Sequence, residues 1–297
     1  MDLLGIDLQI VLFGLGVGVL IGLTGIGGGS LMTPLLILFG GVPPTVAIGT
    51  DLAYGAVTKT LGGWRHWRKG TVDHGVSFWM ALGSVPGSLL GVVLLEYVIS
   101  AKPDVLLTII SGVLLMVAVS VLIRAVSFTD SGERERHAVA MTGRTKAAAI
   151  VIGLLLGVLL GLTSVGSGAL VGFVLILIFR LTPHRVVGTD VFHAALMLWA
   201  AALAHVAFGN VDYALMGTIL IGSLPGVVIG TALIDKVPTA VLRPALGCVL
   251  LAAGIGVGTK AGLALPPWTV IAVPAAAGTV VATISIARQR RAEPEAA

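Results

Sequence analysis

Apolar residues run along this chain in long unbroken stretches. Runs near 6–24, 46–64, 76–99 and 104–126 are followed by a second set near 147–163, 186–207, 213–234, 240–258 and 267–287. Each approaches the roughly 20 residues with which a helix crosses a bilayer. Two further runs, about 30–41 and 169–180, hold some 12 residues each. That is roughly 18 Å of helix, too short for a hydrocarbon core of roughly 30 Å. Both follow glycine-rich breaks, so each is expected to be a half-spanning helix that starts within the membrane. A strand barrel would alternate lipid-facing and polar residues instead. The pattern therefore predicts an all-α polytopic membrane protein.

Composition agrees. Hydrophobic residues make up 57% of the 297 positions, charged residues 11%, and the mean hydropathy is +1.06. A water-facing globule spends about 25% of its residues on charge. Disorder, a nucleic-acid module and a secreted disulfide scaffold are excluded, and the single cysteine, Cys248, permits no intrachain disulfide. The start carries Asp2 and Asp7 and no base, so the first run is expected to be a retained span rather than a signal. If both short runs count as crossings and the N-terminus lies outside, fifteen Lys and Arg fall on the cytoplasmic side, against Lys102 and Lys260 outside. This bias orients the chain N-out and C-in in the cytoplasmic membrane.

An internal repeat organises the chain. Gly22–Leu31 matches Gly161–Leu170, Gly49-Thr50-Asp51 matches Gly188-Thr189-Asp190, and Gly83–Gly87 matches Gly222–Gly226, all at one offset of 139. His66 and Asp73 match His205 and Asp212 at that same offset. A constant register across separate blocks signals duplication. Five membrane segments per copy force the second copy to insert upside down, giving two inverted-topology repeats, an architecture of secondary transporters. The expected divisions are 1–126 for the first repeat, 127–146 for a cytoplasmic linker, 147–260 for the second repeat, and 261–297 for an extra C-terminal helix with a basic tail.

The chemistry concentrates at the two breaks. A helix that begins inside the membrane aims unpaired N–H groups and partial positive charge at whatever lies before it. Thr24, Gly27, Gly28, Gly29 and Ser30 in the first break, and Thr163, Ser164, Gly166, Ser167 and Gly168 in the second, form the expected anion site. Glycine allows close backbone approach and the hydroxyls add donors. Asp51 and Asp190 are ionisable groups inside spans. They are expected to take up a coupling ion, H+ or Na+, or to brace the site, with Thr50, Thr189 and His193 in support. Lys59, whose counterpart is Leu198, is expected either to face the substrate or to snorkel to the cytoplasmic interface. Asp73 and Asp212 read as helix caps. The Gly-Ser-x-Pro-Gly blocks read as kinks or as packing surfaces.

No metal or other cofactor is expected, because the histidines lack neighbouring Cys or Glu. The chain has no Gly-x4-Gly-Lys-Ser/Thr loop, and the order around Ser167 does not make a serine nucleophile's turn. It is not expected to be an enzyme. An anion channel and an assembly subunit without transport are the competing readings.

These residues resemble a known family. Gly25-Ile-Gly-Gly-Gly-Ser-Leu-Met-Thr-Pro34, followed by Pro44 and Gly49-Thr50-Asp51, with the two Gly-Ser-x-Pro-Gly blocks, is similar to the sulfite exporter TauE/SafE permeases over about residues 10–258. The resemblance implies passage of small sulfur oxyanions, organosulfonates or related carboxylates through the cytoplasmic membrane. The second copy departs from the pattern, with Ser164, Ser167 and Phe173 where the first has Gly25, Gly28 and Pro34.

Overall fold

The structure, a computed structural model, describes residues 2–3, 6–24, 29–127, 139–233 and 239–292. After a minimal ladder of β1 (Asp2–Leu3) and β2 (Ile6–Asp7), every further element of the described residues is a helix. The first copy supplies α1 (Leu8–Thr24), α2 (Gly29–Leu38), α3 (Pro44–Arg68), α4 (His74–Leu94) and α5 (Pro103–Ser127). A π-helical turn, Leu95–Ile99, extends α4. The second copy supplies α6 (Gly143–Thr163), α7 (Ala169–Leu177), α8 (Pro183–Ala207), α9 (Tyr213–Leu233) and α10 (Thr239–Lys260), and α11 (Thr269–Ala292) is appended. Five of these segments, His74–Ile99, Pro103–Val126, Gly143–Thr163, Pro183–Ala207 and Tyr213–Leu233, are long and apolar enough to span a membrane. The helices α2 and α7, at 10 and 9 residues, are the short elements anticipated after each break. Within the linker, residues 128–138 lie outside the described residues.

Packing is dominated by pairs that join the two copies. Helix α4 lies along α6, and α1 along α9. Each pair closes over two glycine ladders: Gly83, Gly87 and Gly91 against Gly153, Gly157 and Gly161, and Gly14, Gly18 and Gly22 against Gly222, Gly226 and Gly230. At every one of these positions a Cβ would press on the partner's backbone. In lipid no hydrophobic force drives helices together, so close backbone approach through small residues supplies the contact. Changing Gly157 to Ala would place a Cβ 2.8 Å from the Ser84 Cα. Overpacking of this kind costs about 1–3 kcal/mol. The melting temperature of the detergent-solubilised protein is expected to drop for Gly157→Ala and to hold for Gly112→Ala, where the added methyl meets nothing within 4 Å. Equal melting of the two variants would refute the tight interlock.

Helix direction follows from these contacts. Gly49 sits against Asn210, Gly55 against Leu198 and Gly62 against Val191, so α3 and α8, equivalent in the repeat, run antiparallel. Equivalent helices α5 and α10 do likewise, with Ser111 near Gly258 and Leu122 near Gly247. The ends of α3 and α8 are tied across the copies. Asp73 caps α4 by accepting from Val76 N (3.0 Å), and its own N–H donates to Thr189 Oγ1 (2.9 Å). Asp212 accepts from Leu215 N (2.9 Å), and its N–H donates to Thr50 Oγ1 (3.0 Å).

Candidate functional site

Helix α6 ends inside the molecule, where residues 160–172 are continuously buried. Ser164 takes the left-handed conformation (φ 57°), and its N–H donates to Leu160 O (2.7 Å) in an αL cap. Gly166 and Gly168 follow at φ 109° and 101°, which only glycine adopts readily. Thr163 Oγ1 donates to Leu159 O (2.7 Å) and accepts from Val165 N (3.2 Å). Internal bonds of this kind let a helix break survive at membrane depth. In the other break, Thr24 is the last residue of α1, and Gly27 and Gly28 lie outside the described residues. Gly29, which opens α2, meets the second break directly: a Cβ there would stand 2.6 Å from Ser164 O and 3.4 Å from Asp51 Oδ2. The start of α2 and the second break thus converge on one point.

Asp51 occupies that point. Its Oδ2 accepts from Thr33 Oγ1 (2.7 Å) and Ser164 Oγ (2.6 Å), and those two hydroxyls are themselves 2.6 Å apart. All three side chains are buried. Asp190 has different company, namely the Gly168 backbone amide and the charges of Lys59 and Arg124. Arg124 Nη1 lies over Gly172 of α7.

A cavity of about 440 Å³ runs from this point along α3. Its α3 wall carries Asp51, Tyr54, Gly55, Thr58, Lys59, Gly62, Arg65, His66 and Lys69. The spacing of three or four residues places them on one helical stripe. Gly29, Ser164 and Ser167 form the inner end, Ile21, Gly22, Val227 and Thr231 face the stripe from α1 and α9, and Val187, Val191 and Leu198 come from α8. The other end is basic and exposed, at Arg65 and Lys69. Lys59 is only 8% exposed, lies within this cavity, and its ammonium makes no hydrogen bond among the described residues.

The structure therefore gathers Gly29, Ser164, Ser167, Asp51 and Lys59 around one cavity. Thr163, Gly166 and Gly168 build the turn behind it, and Ser30 is buried just inside α2. Thr50 and Thr189 tie helix ends, as above. His193 stands away from the cavity, sharing a 2.8 Å hydrogen bond with Ser84 in the α8–α4 contact. Thr33 was missed by sequence reasoning because its repeat counterpart is Gly172, so no duplication flagged it. The small and polar stripe of α3 was a legible signal, running from Asp51 to Lys69 at helical spacing.

The counterparts of Gly55, Thr58, Lys59 and Gly62 are Ala194, Met197, Leu198 and Ala201, all buried. There α4 packs closely on α8, with Ser88 Oγ donating to Met197 O (3.5 Å). The far end is shut by the Tyr97–Phe208 stack and by Asn210 Nδ2 donating to Glu96 Oε2 (2.9 Å).

Comparisons with known proteins agree on one family. A model of the sulfite exporter TauE/SafE family matches residues 10–257. The chain is 37% identical over 253 residues to the probable membrane transporter protein YjnA of Bacillus subtilis (strain 168), covering 84% of this chain and 98% of that protein. It is 26% identical over 209 residues to YdhB of the same organism, also named a probable membrane transporter protein, covering 70% and 82%. No solved structure matches the chain significantly. With the family model covering most of the chain and several helices fit to span a membrane, the chain belongs to the sulfite exporter TauE/SafE family of multi-pass membrane transporters.

Proposed function

We propose that this protein is a secondary transporter that carries a small sulfur-containing anion, an oxyanion such as sulfite or thiosulfate or an organosulfonate, by alternating access. The observation that carries the reading is Lys59: a buried cation without a hydrogen-bonding partner among the described residues, inside a cavity that reaches water through Arg65 and Lys69. A cation held in low dielectric is costly without a counter-charge. Asp190 supplies part of it, and an anion entering the cavity supplies the rest. Two helices that begin at the cavity's inner end add partial positive charge.

The two copies act as inverted repeats in this reading, which the antiparallel course of α3 and α8 and of α5 and α10 supports. The protein sits in the cytoplasmic membrane with its N-terminus outside, so the basic mouth faces the cytoplasm and this conformation is open inward. The closed α8 side opposes a channel, because a channel needs a continuous path.

Thermal stabilisation by a panel of anions tests the substrate class. Sulfite, thiosulfate, sulfate, sulfoacetate, taurine, acetate and chloride would be added in turn to detergent-purified protein. A ligand that binds the folded state at 100 times its Kd stabilises it by about 2.7 kcal/mol. A sulfur oxyanion or sulfonate is expected to raise the melting temperature selectively. Equal shifts for chloride and acetate, or no shift by any sulfur anion at high concentration, would remove the reading.

A further inference from the structure

Three short edges join the oxygens at the inner end of the cavity. Thr33 Oγ1 and Ser164 Oγ lie 2.7 and 2.6 Å from Asp51 Oδ2, and 2.6 Å from each other. Oxygens this close have a proton between them, since O–H···O bonds cluster near 2.7–2.8 Å. Each hydroxyl carries one proton. Two hydroxyls therefore fill two edges, and the third edge needs a third proton. The only other group on the ring that can carry one is the Asp51 carboxyl. A metal ion does not fit these spacings. Hard cations of the size of Ca2+ hold oxygens at about 2.3–2.6 Å, which sets ligands at right angles roughly 3.3 Å or more apart.

We infer that Asp51 is the site of the coupling proton, held as a carboxylic acid that closes a three-membered ring of hydrogen bonds with Thr33 and Ser164. The repeat supplies an internal comparison. Asp190 occupies the equivalent position, but the counterparts of Thr33 and Ser164 are Gly172 and Gly25. Among the described residues no hydroxyl builds that ring around Asp190, which faces Lys59, Arg124 and the Gly168 amide instead. Two carboxylates from one duplicated motif thus divide the work, Asp51 taking and releasing a proton and Asp190 staying ionised against two cations. Environment alone separates paired carboxylates in this way.

The charged and titratable groups facing Asp51 are few. Lys59 and Tyr54 lie on its own helix, and Arg65, His66 and Lys69 follow toward the mouth. Asp190 on α8 interacts with it through Lys59. Helix α2 contributes only Thr33, including its backbone N–H, and the second break contributes serines. With Asp51 ionised, Lys59 and Arg124 balance Asp51 and Asp190. With Asp51 protonated, one positive charge is left over for an anion. Proton and anion therefore favour each other's binding, reciprocally, and cross together. The proton enters from water in the open cavity, neutralises Asp51, and returns to water when the anion leaves.

The inference rests on the transport reading for what the proton moves with, but its first test does not. Infrared spectra of the purified protein near neutral pH are expected to show a protonated carboxylic-acid C=O band. That band should be lost in Asp51→Asn and kept in Asp190→Asn. If Asp51→Asn does not fold, Thr33→Val serves, since losing a hydrogen bond at the acid shifts the band to higher wavenumber. No band in the wild type, or a band unmoved by either change at the ring, overturns the inference. In proteoliposomes with thiosulfate, a pH gradient should drive accumulation in the wild type. Asp51→Asn should exchange thiosulfate across the membrane yet accumulate none. Accumulation that needs Na+ instead of a pH gradient also overturns it. If the band is present but no panel anion binds or moves, the transport reading falls while the proton site stands.

Discussion

Lys59→Gln is expected to weaken anion binding by about 30- to 4,000-fold while the protein remains folded and inserted. The range follows from the 2–5 kcal/mol typically lost when one member of a buried charge pair is truncated, at 1.4 kcal/mol per tenfold. Glutamine keeps the length and a hydrogen-bond donor, so a loss of this size reports the charge. The mouth residues behave differently. Arg65 and Lys69 are exposed, and charges at a rim act mainly on association rate and its salt dependence. Arg65→Gln should therefore slow binding at low salt and change the equilibrium little. The measurement is the anion's Kd by calorimetry, with stopped-flow rates at two ionic strengths. An unchanged Kd in Lys59→Gln would remove Lys59 from the site.

The second large effect concerns the other conformation. In the closed half, Ser84 bonds to His193 and Ser88 to Met197. Their repeat counterparts are the pairs Ser223–Tyr54 and Val227–Thr58. Val227 and Thr58 face each other across the open cavity, and the hydroxyls of Ser223 and Tyr54 close no hydrogen bond although their side chains interact. In the proposed alternating-access cycle, exchanging the roles of the two copies would yield the opposite state: α9 would dock on α3 and shut the cavity, while α4 would part from α8. In a Cys248→Ser background, Thr58→Cys with Val227→Cys should cross-link only when the cavity closes, and that bond should abolish transport. Ser88→Cys with Met197→Cys should cross-link in the conformation described here and hold the cavity open. Cα atoms must come within roughly 4.4–6.8 Å for either bond. Both bonds forming together in one molecule, or transport continuing through either, would end the alternating-access account.

Much of this architecture was legible in the chain. Hydrocarbon thickness imposes helix length, so the apolar runs located the helices to within a few residues. The shortness of α2 and α7 followed from that measure. Asp51 and Lys59 stood out because ionisable groups inside spans are costly. Other features escaped for definable reasons. The glycine ladders repeat every four residues, yet sequence alone does not say which helix each ladder meets. Thr33 carries no unusual chemistry until folding brings Ser164 and Asp51 to it from distant positions. His193 looked like a neighbour of Asp190, three residues away. That stretch of α8 packs against α4, so His193 meets Ser84 and not the cavity.

The exchange of helix partners between copies governs how the chain must be made. The grooves of α1 and α4 are shaped for α9 and α6, which the ribosome has not yet produced when the first copy enters the bilayer. Until then those glycine faces meet only lipid tails, which cannot follow a backbone groove as another helix does. On this packing, neither copy is expected to complete its fold until the other has been made. Severing the chain within residues 128–138 would leave two fragments that mature only when synthesised together.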